Sequence, residues 1–291
     1  MLNIGFIGLG LMGVEFTRRL VDLGHPVTGF DCIPDKLTTA KGHGVASAAD
    51  AADVADNSDH IHICVMRSTE LEEVVFGARG IAAADVENKI LIDHSTTPVD
   101  ITKEFAQRLK AQSGMHWIDA PVSGGPPAAL EGTLAIMAGA DEAIMERAKP
   151  VLDKMGQCTH MGPVGAGQTT KMVNQILVLN NYCVLAEALA LAEAGGVDAN
   201  KIPKALGQGH AGSNLLQRLF PRMIERDFEP AGYAFQVLKD LDMVHDLAKA
   251  LTVPTPMSSQ AASLFRLLNS KGYGELDGIS VLKLYDSGEQ V

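Results

Sequence analysis

The sequence predicts an α/β domain over residues 1–163, with a mostly parallel, doubly wound sheet, followed by an all-α domain over residues 164–291. Three observations predict this. A glycine-rich turn joins an apolar run to a helical run at the start of the chain. Short apolar runs then alternate with helical stretches of about ten or more residues, the pattern of a parallel sheet with crossover helices. From Gly165 the alternation stops, and the chain runs apolar until Gly195 and Gly196. A helix of that length would span ~40 Å at about 1.5 Å per residue, too long for a crossover and suited to the backbone of a second domain.

The elements follow in order. Asn3 to Ile7 is an apolar strand, and Gly8, Leu9, Gly10, Leu11, Met12 and Gly13 lead from it into a helix. Gly8 suits a tight turn, Gly10 lets a pyrophosphate approach the backbone, and Gly13 lets the helix pack closely on the strand. The diphosphate would sit at the helix N-terminus, where unpaired N–H groups and the macrodipole favour an anion. This makes the first domain a Rossmann-type dinucleotide-binding domain. Pro26 to Phe30 forms the second strand and ends in Asp31, eighteen residues past Gly13, where a carboxylate can accept from the adenosine ribose hydroxyls. Cys32, Ile33 and Pro34 follow, with no arginine to hold a 2′-phosphate, so the expected cofactor is NAD rather than NADP.

Lys36 to Lys41 reads as a short helix, and Ser47 or Asp50 opens another. His60 to Met66 is a strand, Glu70 to Phe76 a helix, and Ile90 to Asp93 a strand. Thr97 is placed to N-cap the next helix, with Pro98 at its first position and Asp100 at its third; that helix runs to about Gln112. Ligands on such sheets collect at the carboxyl ends of the strands. That rule points at Met66, at Ser95 and Thr96, and at Asp119 to Gly125. Ser123, Gly124 and Gly125 put a hydroxyl beside unencumbered backbone amides, which suits a carboxylate, although such a run alone also reads as an ordinary loop. Leu134 to Ala140 is a strand and Asp141 to Met155 an amphipathic helix. After Gly162 and Pro163 only helical patches follow, near 167–194, 199–207, 214–222, 233–251, 258–271 and 280–285.

Composition bounds the function. At 291 residues, with 46% apolar and 20% charged residues, the chain can bury two sizeable cores. A net charge of −11 without a basic cluster argues against a nucleic-acid partner. The four cysteines form no CxxC pair and the nine histidines no ligand spacing, so no metal site is expected. His60 and His62 alternate within an apolar run and read as strand residues. The N-terminus lacks a basic region and breaks early on glycine, unlike a signal peptide. Asn174, Asn180, Asn181 and Glu187 interrupt the long apolar run, which suits a buried helix better than a bilayer span. A cytoplasmic location with no membrane partner is expected. The long apolar helix and a mean hydropathy of +0.10 suggest surface buried between subunits, hence a homodimer or homotetramer.

Lys171 stands out within that helix. No other charge occurs from Met161 to Cys183, whereas most lysines lie on solvated faces. Asn174, three residues on, shares its face, and Gln175 joins them at the fourth position. Lys239 and Asp240 fall midway along a later helix, where a charged pair reads by periodicity as a solvated face.

Five motifs in order carry a resemblance over nearly the whole chain: GFIGLGLMG at the start, DHSTTP from Asp93 to Pro98, DAPVSGG from Asp119 to Gly125, GxGxxxKxxN from Gly165 to Asn174, and KDLDM from Lys239 to Met243. With them the chain resembles the β-hydroxyacid dehydrogenase family, which includes 3-hydroxyisobutyrate dehydrogenases and tartronate semialdehyde reductases. The resemblance implies an active site in a cleft between a Rossmann and a helical domain. It places Lys171 on the catalytic lysine, Asn174 on the asparagine beside it, and Ser123, Gly124 and Gly125 on the substrate-carboxylate loop. Thr96 and Lys239 fall on cofactor-contacting positions, and Val65 and Met66 on the strand end beneath the adenosine and ribose. Arg67, Ser68 and Thr69 replace the Leu-Pro-Asn common in the family, Pro98 comes one place early, and Gln175 stands where a second asparagine is common.

The expected activity is NAD-dependent interconversion of a small 3-hydroxy acid and its semialdehyde, with a small anionic substrate as the partner. Lys171 would be the general acid/base, its ordinary value near 10.4 requiring a downward shift by burial to act as base near neutrality. Two alternatives use the same scaffold: an imine reductase, expected to lack the lysine and prefer NADP, and a non-catalytic NAD-binding interaction module. Lys171 argues against both, and Asp31 also argues against the first.

Overall fold

The computed structural model describes residues 1–286, which divide into one compact unit over Met1–Lys171 and a second from Met172 on. In the first unit strands and helices alternate: β1 (Ile4–Ile7), α1 (Leu11–Asp22), β2 (Val27–Phe30), α2 (Pro34–Lys41), β3 (Ala46–Ser47), α3 (Ala51–Asp56), β4 (His60–Ile63), α4 (Ser68–Phe76), β5 (Ile90–Asp93) and α5 (Val99–Ser113). Then come β6 (His116–Asp119), β7 (Val122–Ser123), α6 (Gly125–Glu131), β8 (Leu134–Gly139), α7 (Glu142–Met155) and β9 (Gly156–Gly162).

The sheet order is β3-β2-β1-β4-β5-β6-β8-β7, with β9 paired to β8. Pairing is parallel from β3 through to β6, antiparallel along one edge of β8, where β6 and β7 meet it in one register, and parallel along its other edge with β9. Beside β1 the winding reverses, since β2 and β3 extend to one side while β4, β5 and β6 extend to the other. The crevice at such a switch point opens at the carboxyl ends of the strands, here just past Ile7 and Ile63. Strands β1, β4 and β5 are buried throughout, as required of parallel strands covered on both faces. Successive residues of β5 feed opposite cores. Ile90 and Ile92 join Ile4 and Phe6 on one side of the sheet, and Leu91 joins Ile61 and Ile63 on the other. On β4 the positions alternating with Ile61 and Ile63 are His60 and His62, buried as strand residues.

Several elements differ from the sequence expectation. The strand begun at His60 stops at Ile63. Strands β3, β6, β7 and β9 and helix α6 are additional. Of these, β9 has a largely exposed, non-alternating pattern and is held by its register with β8 rather than by an apolar face. Helix α5 begins at Val99 with Pro98 in the capping position, extended at ψ 140°, so Thr97 is not its N-cap. The Thr97 amide instead donates to the Gln168 side-chain oxygen at 3.2 Å.

Helix α8 (Ala166–Ala194) begins in the first unit and continues into the second. Among the described residues it is the one helix long and apolar enough to cross a membrane by length and composition. The second unit continues with α9 (Ile202–Leu206), α10 (Asn214–Ile224), α11 (Ala234–Ala250) and α12 (Pro256–Ser270). The last expected helical patch is a 3-10 turn over Gly278–Leu284. Ser213 caps α10 by accepting from the Leu216 amide at 3.0 Å. The unit packs around Leu179, Leu189, Phe220, Phe265 and Ile279, all fully or nearly fully buried. Each such side chain contributes roughly 1.5–3 kcal/mol by leaving water.

Candidate active site

The glycine turn lies at the sheet's switch point. Gly8 has φ 91°, and a Cβ there would lie 2.2 Å from the Cys64 carbonyl oxygen. A Cβ on Gly13 would lie 1.9 Å from the Gly8 carbonyl oxygen, so only glycine lets α1 start this close to β1. Gly10 is the N-cap residue of α1 and supplies no side-chain cap. A Cβ on Gly10 would meet only the Lys36 ammonium within 4 Å, at 3.9 Å. The first amides of α1 and the open backbone at Gly10 therefore form a cradle that fits a diphosphate. Leu9 is buried, Met12 packs against the core, and Leu11 is exposed.

Asp31, at the end of β2, is buried and bonds the turn itself. Its Oδ2 accepts from the Leu9 amide and its Oδ1 from the Ile33 amide, each at 2.8 Å. A carboxylate offers about four lone-pair positions, which leaves capacity for a ribose hydroxyl. Lys36 Nζ lies 3.9 Å from Asp31 Oδ2, a cation that the Cys32-Ile33-Pro34 run does not reveal.

Past β4, the Val65 amide donates to Ser95 Oγ at 3.0 Å, and the Ser95 amide donates to Asp93 Oδ1 at 2.9 Å. The Met66 and Arg67 amides share the Glu70 carboxylate at 3.1 and 3.3 Å, so the Arg67-Ser68-Thr69 segment opens α4. Thr96 is half-buried beside these groups. The ends of β4 and β5 are thereby tied together at the carboxyl edge of the sheet. Beneath them the stacked rings of His62 and His94 share a 2.9 Å contact between Nδ1 and Nε2. His94 Nδ1 lies 2.8 Å from the Ala120 carbonyl oxygen. A carbonyl only accepts, so His94 carries its proton on Nδ1, its Nε2 accepts, and His62 donates from Nδ1. Burial lowers both imidazoles, His94 to about 4.

The loop after β6 gathers a second set. Gly124 and Gly125 have φ 137° and 76°, conformations that favour glycine, and they turn the chain from β7 into α6 with Ser123 just ahead. Lys171, only 8% exposed, donates from Nζ to the Val122 carbonyl oxygen at 2.8 Å. The lysine is therefore held at the residue preceding Ser123, so Lys171 and the Ser-Gly-Gly loop are brought together.

The start of α8, which carries Lys171, is clamped by groups the sequence reading did not assign. Asp119 Oδ1 accepts from the Gly165 amide at 2.7 Å and Oδ2 from the Gln168 amide at 2.8 Å. Burial pushes the Asp119 carboxyl up to about 7, against the downward pull of those amides. Gln168 donates from Nε2 to the Ser95 carbonyl oxygen at 2.8 Å while its Oε1 accepts from Thr97. The signal available in the sequence was a glutamine and an aspartate inside motifs singled out for other members.

The second unit holds the remaining residues. Asn174, one turn beyond Lys171 on α8, donates from Nδ2 to Gln175 Oε1 at 2.8 Å, and Gln175 Nε2 donates to Asp240 Oδ2 at 2.5 Å. Lys239 Nζ pairs with Asp240 Oδ1 at 3.3 Å. The pair is not simply a solvated face, since Asp240 is only 9% exposed. Among the described residues no group of three or more His, Cys, Asp or Glu is placed to hold a metal ion.

Comparison with known proteins bears on the family and the fold. Residues 3–162 match the family described as the NAD binding domain of 6-phosphogluconate dehydrogenase, and residues 165–285 match that described as NAD-binding of NADP-dependent 3-hydroxyisobutyrate dehydrogenase. The chain is 38% identical to 2-hydroxy-3-oxopropionate reductase of Escherichia coli, over 95% of this chain and 94% of that one. It is 32% identical to NAD-dependent L-serine dehydrogenase of Pseudomonas aeruginosa, over 98% of both. Among solved structures, 3-hydroxyisobutyrate dehydrogenase from Salmonella typhimurium superposes with a TM-score of 0.89 at 30% identity, covering 98% of this chain and 100% of that one. An imine reductase from a Pseudomonas species, at 20% identity and TM-score 0.65, covers 97% of this chain and 98% of that one and shares the fold.

Proposed function

The chain belongs to the 3-hydroxyisobutyrate dehydrogenase family of NAD(P)-dependent hydroxyacid dehydrogenases, and we propose that it interconverts a small 3-hydroxy acid and its semialdehyde, with Lys171 as general acid/base. The observation that carries this reading is the buried Lys171 ammonium, held 2.8 Å from the Val122 carbonyl at the threshold of the Ser123-Gly124-Gly125 loop. A substrate carboxylate on that loop would place the neighbouring carbinol within the lysine's reach. In oxidation the neutral amine of Lys171 takes the hydroxyl proton; in reduction its ammonium returns a proton to the carbonyl oxygen. The nicotinamide supplies the hydride chemistry when the dinucleotide is bound. Asn174 orients the substrate, the glycine turn holds the diphosphate, and Asp31 holds the ribose. Val65, Met66 and Thr96 complete the cofactor site of the first unit, and Lys239 is proposed as a further cofactor contact.

NAD is the preferred dinucleotide in this reading, because Asp31 favours ribose hydroxyls and repels a 2′-phosphate. The proposed substrate class is small and anionic, and 2-hydroxy-3-oxopropionate, named for a relative at 38% identity, is the first to test. The test is reduction of that semialdehyde with NADH and NADPH, together with oxidation of 3-hydroxyisobutyrate, glycerate, L-serine, L-threonate and 2-(hydroxymethyl)glutarate. Turnover of at least one, faster with NAD, is expected. Absence of turnover across the panel with both dinucleotides overturns the reading, and a preference for NADP overturns the role given to Asp31.

A further inference from the structure

Asn174, Gln175, Asp240 and Lys239 form one line of polar contacts within the second unit, and two of its members have no function assigned above. We propose that Gln175 and Asp240 are positioning residues that dictate which way the Asn174 amide faces. This inference rests on the substrate-orienting role given to Asn174.

Chemistry gives the line a single direction. Asp240 is paired through Oδ1 with the Lys239 ammonium at 3.3 Å and, as a carboxylate, can only accept. The Gln175 atom 2.5 Å from its Oδ2 is therefore Nε2, donating a charge-assisted bond. The planar amide of Gln175 then presents Oε1 elsewhere, and there it accepts from Asn174 Nδ2 at 2.8 Å. Reversing Gln175 would set two acceptors against each other where Gln175 is 6% and Asp240 9% exposed. Buried groups left unsatisfied in this way are destabilising. Asn174 is thereby locked with one N–H spent, and offers Oδ1 and its second N–H to whatever it faces. A glutamine suits this place better than a shorter asparagine, because its extra methylene spans from α8 to the carboxylate on α11. The same carboxylate orients Lys239, so one buried charge sets both the proposed substrate-side amide and the proposed cofactor-side ammonium.

Asp240→Asn and Gln175→Met test this by two independent readouts. In Asp240→Asn the replacement amide can donate or accept, so both amides lose their fixed direction. In ¹⁵N-labelled protein the side-chain amide resonances of Gln175 and of Asn174, which lies one residue beyond the carboxylate's direct partner, should both shift. Gln175→Met should move the Asn174 signal alone. Both variants should lower kcat/KM for the hydroxy acid by about tenfold or more, and only Asp240→Asn should also weaken NAD binding, through Lys239. An unmoved Asn174 signal in Asp240→Asn overturns the proposal whatever the activity. So does kcat/KM within about twofold of wild type in both variants. If the wild type turns over no hydroxy acid, the functional reading fails by itself, and the amide resonances still decide whether the line is directional.

Discussion

Methionine at position 171 keeps the length and apolar stem of the lysine and removes only the ammonium. Lys171→Met should fold as wild type and bind NAD with nearly unchanged affinity. Its kcat should fall by ~10²–10⁴-fold, toward the upper end because the ammonium also polarises the carbonyl. Lys171→Arg should restore little, since a guanidinium does not release its proton at neutral pH. Steady-state kinetics beside a cofactor titration checks this, and retention of more than about a tenth of kcat sends the proton elsewhere. A second residue-level expectation concerns Lys36, whose ammonium stands 3.9 Å from Asp31 and tempers the repulsion of a 2′-phosphate. Lys36→Ala should lower kcat/KM for NADP by roughly tenfold, about 1.4 kcal/mol, while leaving NAD within about twofold. Equal losses with both dinucleotides would remove Lys36 from cofactor selection. The two lysines differ in how legible they were. Lys171 is conspicuous because its helix carries no other charge nearby. The place of Lys36 depends on Asp31 drawing the Ile33 amide back at 2.8 Å, a bend that no spacing rule encodes.

Among elements, the first turn of α8 bears most on the site. Asp119 holds the Gly165 amide just ahead of it and the Gln168 amide within it, and Gln168 ties it to Ser95 just past β5, so the position of Lys171 depends on the register of this turn. Asp119→Asn keeps the shape but can accept with one oxygen only and turns an NH₂ group toward an amide donor. It should cost ~1–3 kcal/mol in urea unfolding and reduce kcat more than it raises the KM for NAD. Full activity with a lowered melting temperature would make the clamp purely structural. Helices α1, α7 and α8 were legible from glycine punctuation and apolar periodicity. Strand β9 was not, because its exposed pattern is imposed by pairing with β8. The DAPVSGG segment attracted notice for its glycines, whereas its first residue does its bonding 46 and 49 positions away in sequence. Contacts of that separation leave no periodic trace.

Across the whole molecule, stability should fall in mild acid, because the first unit buries three imidazoles in neutral form. Their combined loss exceeds the opposing gain as the Asp119 carboxyl, raised to about 7, takes up its proton. Burial lowers His94 and His60 each to about 4, while His62, stacked on His94, lies well below its ordinary value. An unfolded histidine titrates near 6.5, so the unfolded chain binds protons first as pH drops. The stabilisation is complete above about 6.5 and is lost as pH falls toward 4. For His94 alone the loss is on the order of 3 kcal/mol. Urea unfolding at stepped pH should show that slope, and His94→Phe, which keeps the stacking on Phe16, should flatten it; an unchanged slope would acquit this imidazole. The two-class division of the chain was legible because the period of the apolar pattern changes at Gly165, but α8 straddles the structural units in a way the pattern hides. Lys171 is the last residue of the first unit, yet it sits on the helix that founds the second. Recombination between homologous genes at the natural gap, Gly162-Pro163, would therefore hand the lysine down with the helical half and its docking loop with the other. A descendant keeps the pair only if both parents supply matching shapes.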